Sequence, residues 1–302
     1  MYVMGIDGGA STVRVLITDP HLVVYSQTKD TGVNPSALGQ HHAALRMQTS
    51  IRRALADAGR QPADIAAVGV GVAGAPEAWC AEVIRGVLPD ARVICAGDCE
   101  IALVGARGRR QGVLVLSGTG SVACGVNDAG EKLVIGGRGY LLGDEGSGYW
   151  LGKEALRRSL RAIDGLGGPT RLVDVAFTAL QVTSAAELVR WVYDSSTVDA
   201  IARLAPLVLD AAAAGDAVAQ EIVEQGAQEL ALLGRVIMQR LQMGREAVAF
   251  AGGLLTRPNP LSLRLCALLG LDAIPMPRYP PVMGAALLAL QVFGEQQRST
   301  GG

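Results

Sequence analysis

Two stretches of the chain, one at its start and one beginning at Gly112, run through the same order of residue types. The first reads as an apolar strand, Tyr2 to Ile6, with Asp7 at its end, then Gly8 and Gly9, then Ser11 and Thr12. A second strand follows, with Val13, Val15 and Ile17 on one face, then the turn Asp19-Pro20-His21 and a third strand from Leu22 to Thr28. The later stretch places a strand at Gly112 to Leu116, a turn at Ser117-Gly118-Thr119-Gly120-Ser121, and a strand at Val122 to Val126. The turn Asn127 to Gly130 and a strand Lys132 to Ile135 complete it. Strands joined through glycines read as hairpins, and glycine turns tightly where a Cβ would clash. Backbone N–H groups in such turns form concavities that hold anions. A carboxylate beside one suits hydrated Mg²⁺, which prefers carboxylates, waters and phosphate oxygens. Asp7 is equally suited to cap an ordinary hairpin turn. The repetition is what favours a pair of phosphate-binding hairpins, one opening each half of a degenerate duplication and facing each other across a cleft.

Alternating helices and strands follow the first hairpin, which predicts an α/β domain with a mixed sheet. A helix is expected over Gln40 to Ala58, stopped by Gly59, then a buried strand at Ile65 to Ala73 and a helix at Pro76 to Gly86. A strand at Ala91 to Ala96 and a helix at Cys99 to Ala106 flank Asp98. The segment Gly108 to Gly112 reads as a boundary, giving an N-terminal domain over 1–110 and a C-terminal domain over 111–302. The second carries a helical insertion over about 150–243, with helix starts at Thr183 or Ser184 and at Thr197 or Asp199. Gly136 to Gly148 is too rich in glycine for a helix or strand interior and reads as a shaped loop. A strand at Ala247 to Ala251, a helix at Leu261 to Leu269, a strand at Leu271 to Ile274 and a final helix at Met283 to Phe293 close the chain. That last helix is a candidate to return to the first domain.

The chain has 302 residues, of which 50% are hydrophobic and 18% charged, with a net charge of -1. The pI is near 6.3. These values offer no electrostatic case for nucleic acid or an anionic membrane. No apolar run reaches membrane-spanning length, and no charged leader precedes a long apolar core. Five cysteines, at Cys80, Cys95, Cys99, Cys124 and Cys266, and three histidines show no paired metal-ligand spacing. The plain expectation is a reducing, cytoplasmic setting.

Four features recur in order: Asp7-Gly-Gly-Ala-Ser-Thr12, Asp98 after a strand, Ser117-Gly-Thr-Gly-Ser121, and Ala251-Gly-Gly253. With Gly32-Val-Asn34 and Gly137-Arg-Gly-Tyr-Leu-Leu-Gly-Asp-Glu-Gly-Ser-Gly-Tyr-Trp150, this order resembles the superfamily of sugar kinases, hsp70 and actin. Within it, the chain is most similar to N-acetylglucosamine kinases and the BadF/BadG/BcrA/BcrD ATPases. The resemblance covers nearly the whole chain and is most specific at Gly143-Asp-Glu-Gly-Ser147. It implies an α/β, two-domain actin-like ATPase (ribonuclease H-like) fold, with a duplicated mixed sheet and an ATP/sugar cleft between domains.

The resemblance also implies roles. Asp98 would be the base for the sugar 6-hydroxyl, with Asn34, Asp98 and Asp144 on sugar hydroxyls and Gly137, Arg138 and Gly139 along the acetamido side. Gly8, Gly9, Ser11 and Thr12, with Gly118, Thr119 and Gly120, would hold ATP phosphates. Gly252 and Gly253 would lie under adenosine, and Asp7 would support Mg²⁺. Where the animal enzyme has Trp between the two glycines, this chain has Arg138, which could meet an anionic group on the sugar or point to solvent. Other readings of single residues stay open: Asp98 as a helix N-cap, Asp144 and Glu145 as turn carboxylates, Asn34 as a turn residue before Pro35.

The expected function is ATP- and Mg²⁺-dependent phosphorylation of an amino sugar, N-acetylglucosamine foremost and glucosamine or N-acetylmuramic acid as alternatives. Two further readings stand beside it. One is a BadF-type ATPase that activates a dehydratase through an iron–sulfur cluster; the other is a non-catalytic sugar sensor. The expected partners are sugar and ATP, with no nucleic acid or membrane, and the chain is expected to form a homodimer.

Overall fold

The computed structural model describes residues 1–9 and 12–299. It divides the chain into two compact units. Unit 1 is Met1–Gly112 together with the chain from Pro277 onward, and unit 2 is Val113–Met276. Ser11, one of the expected phosphate contacts, lies outside the described residues.

Unit 1 begins with β1 (Tyr2–Gly8), β2 (Thr12–Thr18) and β3 (Val24–Thr31), then α1 (Pro35–Leu38) and α2 (Gln40–Ala58). It continues through β4 (Ile65–Val72), α3 (Glu77–Arg85), β5 (Arg92–Ala96) and α4 (Asp98–Arg107). Unit 2 begins with β6 (Gly112–Ser117), β7 (Ser121–Val126) and β8 (Lys132–Gly136). Its helices are α5 (Gly148–Ile163), α6 (Leu172–Leu180), α7 (Ala185–Arg190), α8 (Val198–Ala202), α9 (Ala205–Ala213) and α10 (Ala217–Arg240). Then come β9 (Val248–Ala251) and α11 (Pro260–Leu269), before α12 (Pro281–Ser299) returns to unit 1.

The duplication is visible in the sheets. Unit 1 orders its strands β3-β2-β1-β4-β5, and unit 2 orders its strands β8-β7-β6-β9. In unit 1 the three opening strands pair antiparallel and β4 joins β1 in parallel. In unit 2, β9 likewise joins β6 in parallel. A parallel partner requires a crossover. Unit 1 makes it through α1 and α2, and unit 2 through α5 to α10.

Both faces of the unit 1 sheet are covered, which is why β4 reads as small and apolar along most of its length. Met4, Ile6, Val68 and Val70 pack with Met47 and Ile51 of α2 and Val83 and Ile84 of α3. On the other face Val3, Leu16 and Ala67 meet Val282, Met283, Ala286 and Ala289 of α12. Gly5 and Gly69 are partners across β1 and β4. A Cβ on Gly5 would run into the Val282 carbonyl, and one on Gly69 into that of Ala285. The two glycines therefore let the α12 backbone lie directly on the sheet.

Local signals placed most elements. Gly59 ends α2 in the left-handed conformation at φ 62, and Ser184 and Thr197 cap α7 and α8 through their hydroxyls. Leu271–Ile274, expected as a strand, is not one. Pro275 and Pro277 follow it, and proline has no N–H to offer a ladder. Its first residue closes the end of α11, the Leu271 N–H donating to the Cys266 carbonyl at 2.9 Å, and β9 reaches only the residue after the segment, the Phe250 N–H donating to the Pro275 carbonyl at 3.3 Å. Among the described residues no single helix is long and apolar enough to cross a membrane.

Candidate active site

In unit 1 the first hairpin closes through the Gly9 N–H, which donates to the Thr12 carbonyl at 2.8 Å. Its outer carbonyls are also used. Gly8 accepts the Ala73 N–H at 2.9 Å, and Gly9 accepts the Val33 N–H at 3.0 Å. The turn is thereby joined to the end of β4 and to the loop that carries Asn34. Asp7 lies on β1 opposite Arg14 on β2. Its carboxylate is 17% exposed, and Arg14 Nη1 reaches both Asp7 Oδ2 at 3.5 Å and Thr12 Oγ1 at 3.3 Å. Burial pushes the Asp7 carboxyl above the usual range and the Asp98 charge adds to this, while the Arg14 guanidinium opposes both. The two carboxylates thus stand within electrostatic reach of each other.

Asp98 is exposed and is the first residue of α4. The cap position belongs to Gly97, at φ -70 and ψ 153, whose carbonyl accepts the Ile101 N–H at 3.1 Å. The reading of Asp98 as N-cap is therefore corrected: an N-cap has extended backbone, and Asp98 is already helical. A carboxylate in a first turn is favoured by the helix dipole. Asn34 does serve its turn, since its Oδ1 accepts the Ser36 N–H at 2.8 Å and opens α1. Its Nδ2 faces the turn after β4, 3.6 Å from where a Cβ on Gly74 would lie.

The second hairpin is held from behind. Gly118 O accepts the Gly148 N–H at 2.8 Å, and Thr119 O accepts the Tyr149 N–H at 3.2 Å, both from the start of α5. In a planar trans peptide the next N–H points opposite to the carbonyl. The N–H groups of Thr119 and Gly120 are therefore aimed away from α5. The Ser117 and Ser121 hydroxyls donate to the carbonyls of Gly146 and Glu145, each at 2.8 Å, and fix the loop that leads into α5.

Asp144 sits in that loop at φ 61, a left-handed conformation that Asp tolerates better than most residues. A Cβ on Gly120 would lie 2.8 Å from its Oδ2. Burial pushes its carboxyl above the ordinary range and Glu145 adds to this, while the N–H groups of Ser121 and Gly139 hydrogen-bond it and oppose the shift. Gly137, Arg138 and Gly139 are exposed, as are Leu141 and Leu142 beside them. Gly252, at φ 86, is pressed against Ser117, whose carbonyl a Cβ there would strike. Leu254 N–H donates to the same carbonyl at 3.3 Å. The structure therefore gathers Asp7, Gly8, Gly9, Thr12, Asn34 and Asp98 in unit 1. In unit 2 it gathers Gly118, Thr119, Gly120, Asp144 and Gly252.

Two residues escaped the sequence reading. Arg14 is the charged residue in an otherwise apolar run, Val13 to Ile17, and that exception was a legible signal. Asp199 accepts a hydrogen bond from Thr119 Oγ1 at 3.4 Å. It comes from the helical region, where locally it reads only as a candidate helix start. Cys80, Cys99, Cys124 and Cys266 are all buried, and burial pushes the Cys80 thiol up to about 12. That suits an inert packing role. Among the described residues no group of three or more His, Cys, Asp or Glu is placed to hold a metal ion.

Residues 4–289 match the BadF/BadG/BcrA/BcrD ATPase family. The chain belongs to that family. Among family relatives, the N-acetylmuramic acid/N-acetylglucosamine kinase of Clostridium acetobutylicum is 31% identical over 267 residues, 86% of this chain and 87% of its own. The N-acetyl-D-glucosamine kinase of Dictyostelium discoideum is 28% identical over 318 residues, 95% of this chain and 97% of its own. A crystal structure from Chromobacterium violaceum, described as an N-acetylglucosamine kinase, superposes with TM-score 0.78 at 28% identity, covering 96% of this chain and 99% of its own. A ROK family glucokinase from Streptomyces griseus, in complex with glucose and AMPPNP, shares the fold at TM-score 0.58 and 17% identity, covering 96% of this chain and 100% of its own. The two-sheet α/β architecture of this family member is that of the actin-like sugar kinases.

Proposed function

We propose that this chain transfers the γ-phosphoryl group of ATP to a hydroxyl of an amino sugar, with the 6-hydroxyl of N-acetylglucosamine as the foremost acceptor. The observation that carries this reading is the placement of two glycine–hydroxyl turns at the end of the equivalent strand in each sheet, β1 and β6. The first has two carboxylates beside it, and the second presents two outward N–H groups. A further sign is that a Cβ on Gly97, Gly118 or Gly253 would meet nothing within 4 Å. No protein atom excludes a side chain there, so a ligand that must approach the backbone is the better reason for glycine.

The roles follow from the chemistry. Phosphoryl transfer needs positioning and charge neutralisation more than covalent help. The acceptor oxygen attacks the γ-phosphorus, the bond to the β–γ bridging oxygen breaks, and ADP leaves; the hydroxyl proton passes to the Asp98 carboxylate. Gly8, Gly9 and Thr12, with Gly118, Thr119 and Gly120, would hold phosphate oxygens, and Arg14 would offer further donors. Mg²⁺ fits the residues present, because it binds through one or two carboxylates and keeps most of its waters. Asp7, whose charge burial and Asp98 both disfavour, would hold it through that water shell. When bound, the ion would neutralise phosphate charge. Gly252 and Gly253 would lie under adenosine. Asn34 and Asp144 would meet sugar hydroxyls, since two hydrogen bonds leave part of the Asp144 carboxylate's accepting capacity open. Gly137 and Gly139 would flank the acetamido side, and Arg138 would accept an anionic substituent such as a lactyl carboxylate. The relative named for both N-acetylmuramic acid and N-acetylglucosamine supports that last assignment.

The test is ADP release measured with glucose, glucosamine, N-acetylglucosamine and N-acetylmuramic acid. Sugar-dependent ADP release with an amino sugar preferred is the expected result. No release with any of the four, or a brown, sulfide-containing protein after anaerobic purification, sinks the kinase reading.

A further inference from the structure

Thr119 is the exposed hydroxyl residue at the tip of the second hairpin. Its Oγ1 donates to Asp199 Oδ1 at 3.4 Å, across 80 residues of chain. Asp199 stands in the first turn of α8, which Thr197 caps by accepting the Ala200 N–H at 3.1 Å. The short helix is seated closely on α5. A Cβ on Gly152 would run into the Ile201 carbonyl, and one on Gly148 would lie 3.2 Å from that of Ala202. α5 is also the helix whose first N–H groups hold the carbonyls of Gly118 and Thr119. The hairpin is thus fixed twice, its backbone by α5 and its hydroxyl by α8.

The two fixings differ in their effect on an anion. Holding the carbonyls turns N–H groups outward and favours phosphate. Holding the hydroxyl works against it, because a threonine hydroxyl has one proton to donate. A phosphate oxygen that takes this proton takes it from Asp199, and brings a like charge up to the carboxylate. We propose that Asp199 is a positioning residue: it holds the Thr119 hydroxyl when the hairpin is empty and weakens the grip on bound phosphate, so that ADP leaves faster. This rests on reading the second hairpin as a phosphate site.

The test titrates ADP, with and without Mg²⁺, into the full chain and its variants by calorimetry, alongside steady-state kinetics. Asp199→Asn keeps the shape and removes the charge. It is expected to bind ADP about three- to thirtyfold tighter, the range for relieving one like-charge contact at a partly exposed site. KM for ATP should fall in step, with KM for the sugar unchanged and kcat unchanged or lower. A role confined to the fold would lower Tm and leave these ratios alone. Asp199→Ser removes the same charge with a smaller side chain and reads the same repulsion if the Asn variant is poorly folded. Unchanged or weaker ADP binding in the folded variants overturns the proposal. Thr119→Val, which removes the hydroxyl, and Gly120→Ala, which crowds the outward N–H groups, separate this from the underlying reading: unchanged ADP affinity in Thr119→Val alone overturns the proposal, and unchanged affinity in both means that the hairpin itself is not a phosphate site.

Discussion

At the scale of single residues, the two carboxylates beside the first hairpin are set apart by their surroundings. Asp98 is exposed at the start of a helix, whereas Asp7 is largely buried against Arg14. Asp98→Asn is expected to cut kcat by about 10²- to 10⁴-fold, the usual worth of general base catalysis, while sugar binding measured by calorimetry persists. Near-parent turnover would remove Asp98 from that role. Asp7 carries a further expectation. Its folded pKa lies above the unfolded one, through burial first and the Asp98 charge second. The folded state therefore binds the proton more tightly, so the cost of the ionised group is full above the folded pKa, fades as pH falls from there, and is gone below the unfolded one. Asp7→Asn should accordingly have a Tm at pH 8 equal to or above the parent while losing Mg²⁺-dependent activity. A Tm several degrees lower would show that the Arg14 pairing outweighs burial. Arg138 belongs to this scale as well: Arg138→Trp should lower activity on N-acetylmuramic acid relative to N-acetylglucosamine by about tenfold, roughly the worth of one charge-assisted contact. An unchanged ratio would free that arginine of any part in acceptor choice.

At the scale of elements, caps and glycine contacts decide where helices sit. Asp216 caps α10 by accepting the Ala219 N–H at 2.8 Å. It also takes the Arg171 N–H at 2.7 Å and the Thr170 hydroxyl, and so anchors the segment before α6. Burial alone would push its carboxyl up, but these hydrogen bonds together hold it below the ordinary range. A depressed carboxylate contributes stability above its unfolded pKa and loses it as pH falls through the folded one. Asp216→Ala should cost roughly 1–3 kcal/mol at pH 7, from a lost cap and orphaned donors. The gap from the parent in denaturant melts should narrow toward pH 3; a gap that stays constant with pH would point to packing instead. In Gly252→Ala, a Cβ at φ 86 meets the Ser117 carbonyl. That substitution should weaken ATP far more than sugar, because it shifts the second hairpin and the adjacent loop together. Equal losses for both would contradict the assignment. The caps Ser184 and Thr197 were legible in the sequence because each is a local pattern of a few residues. The Leu271–Ile274 segment misled for the converse reason: strand propensity is only completed by a partner's hydrogen bonds, and the prolines after it remove donors.

At the scale of the molecule, the chain folds as one repeated sheet plan with unequal insertions, and its last helix serves the first unit. Val282, Met283, Ala286 and Ala289 cover Val3, Leu16 and Ala67. A chain truncated after Met276 would uncover that face of β1 and β4, with each large buried side chain there worth about 1.5–3 kcal/mol. It should lose protease resistance within residues 1–112 before 113–276. Equal resistance in both would mean that α12 is dispensable. The sequence by itself determined the paired hairpins, the turn glycines, the limits of α2, α3, α4 and α11 and the family, because each is written in neighbouring residues or in their order along the chain. Only the tertiary structure decided that Gly5 and Gly69 exist to seat α12, that Asp98 is helical and not a cap, that Asp144 leans on the second hairpin, and that Asp199 reaches Thr119. Those facts depend on which backbones approach each other across long stretches of chain, and a local reading of residue types contains no such distances.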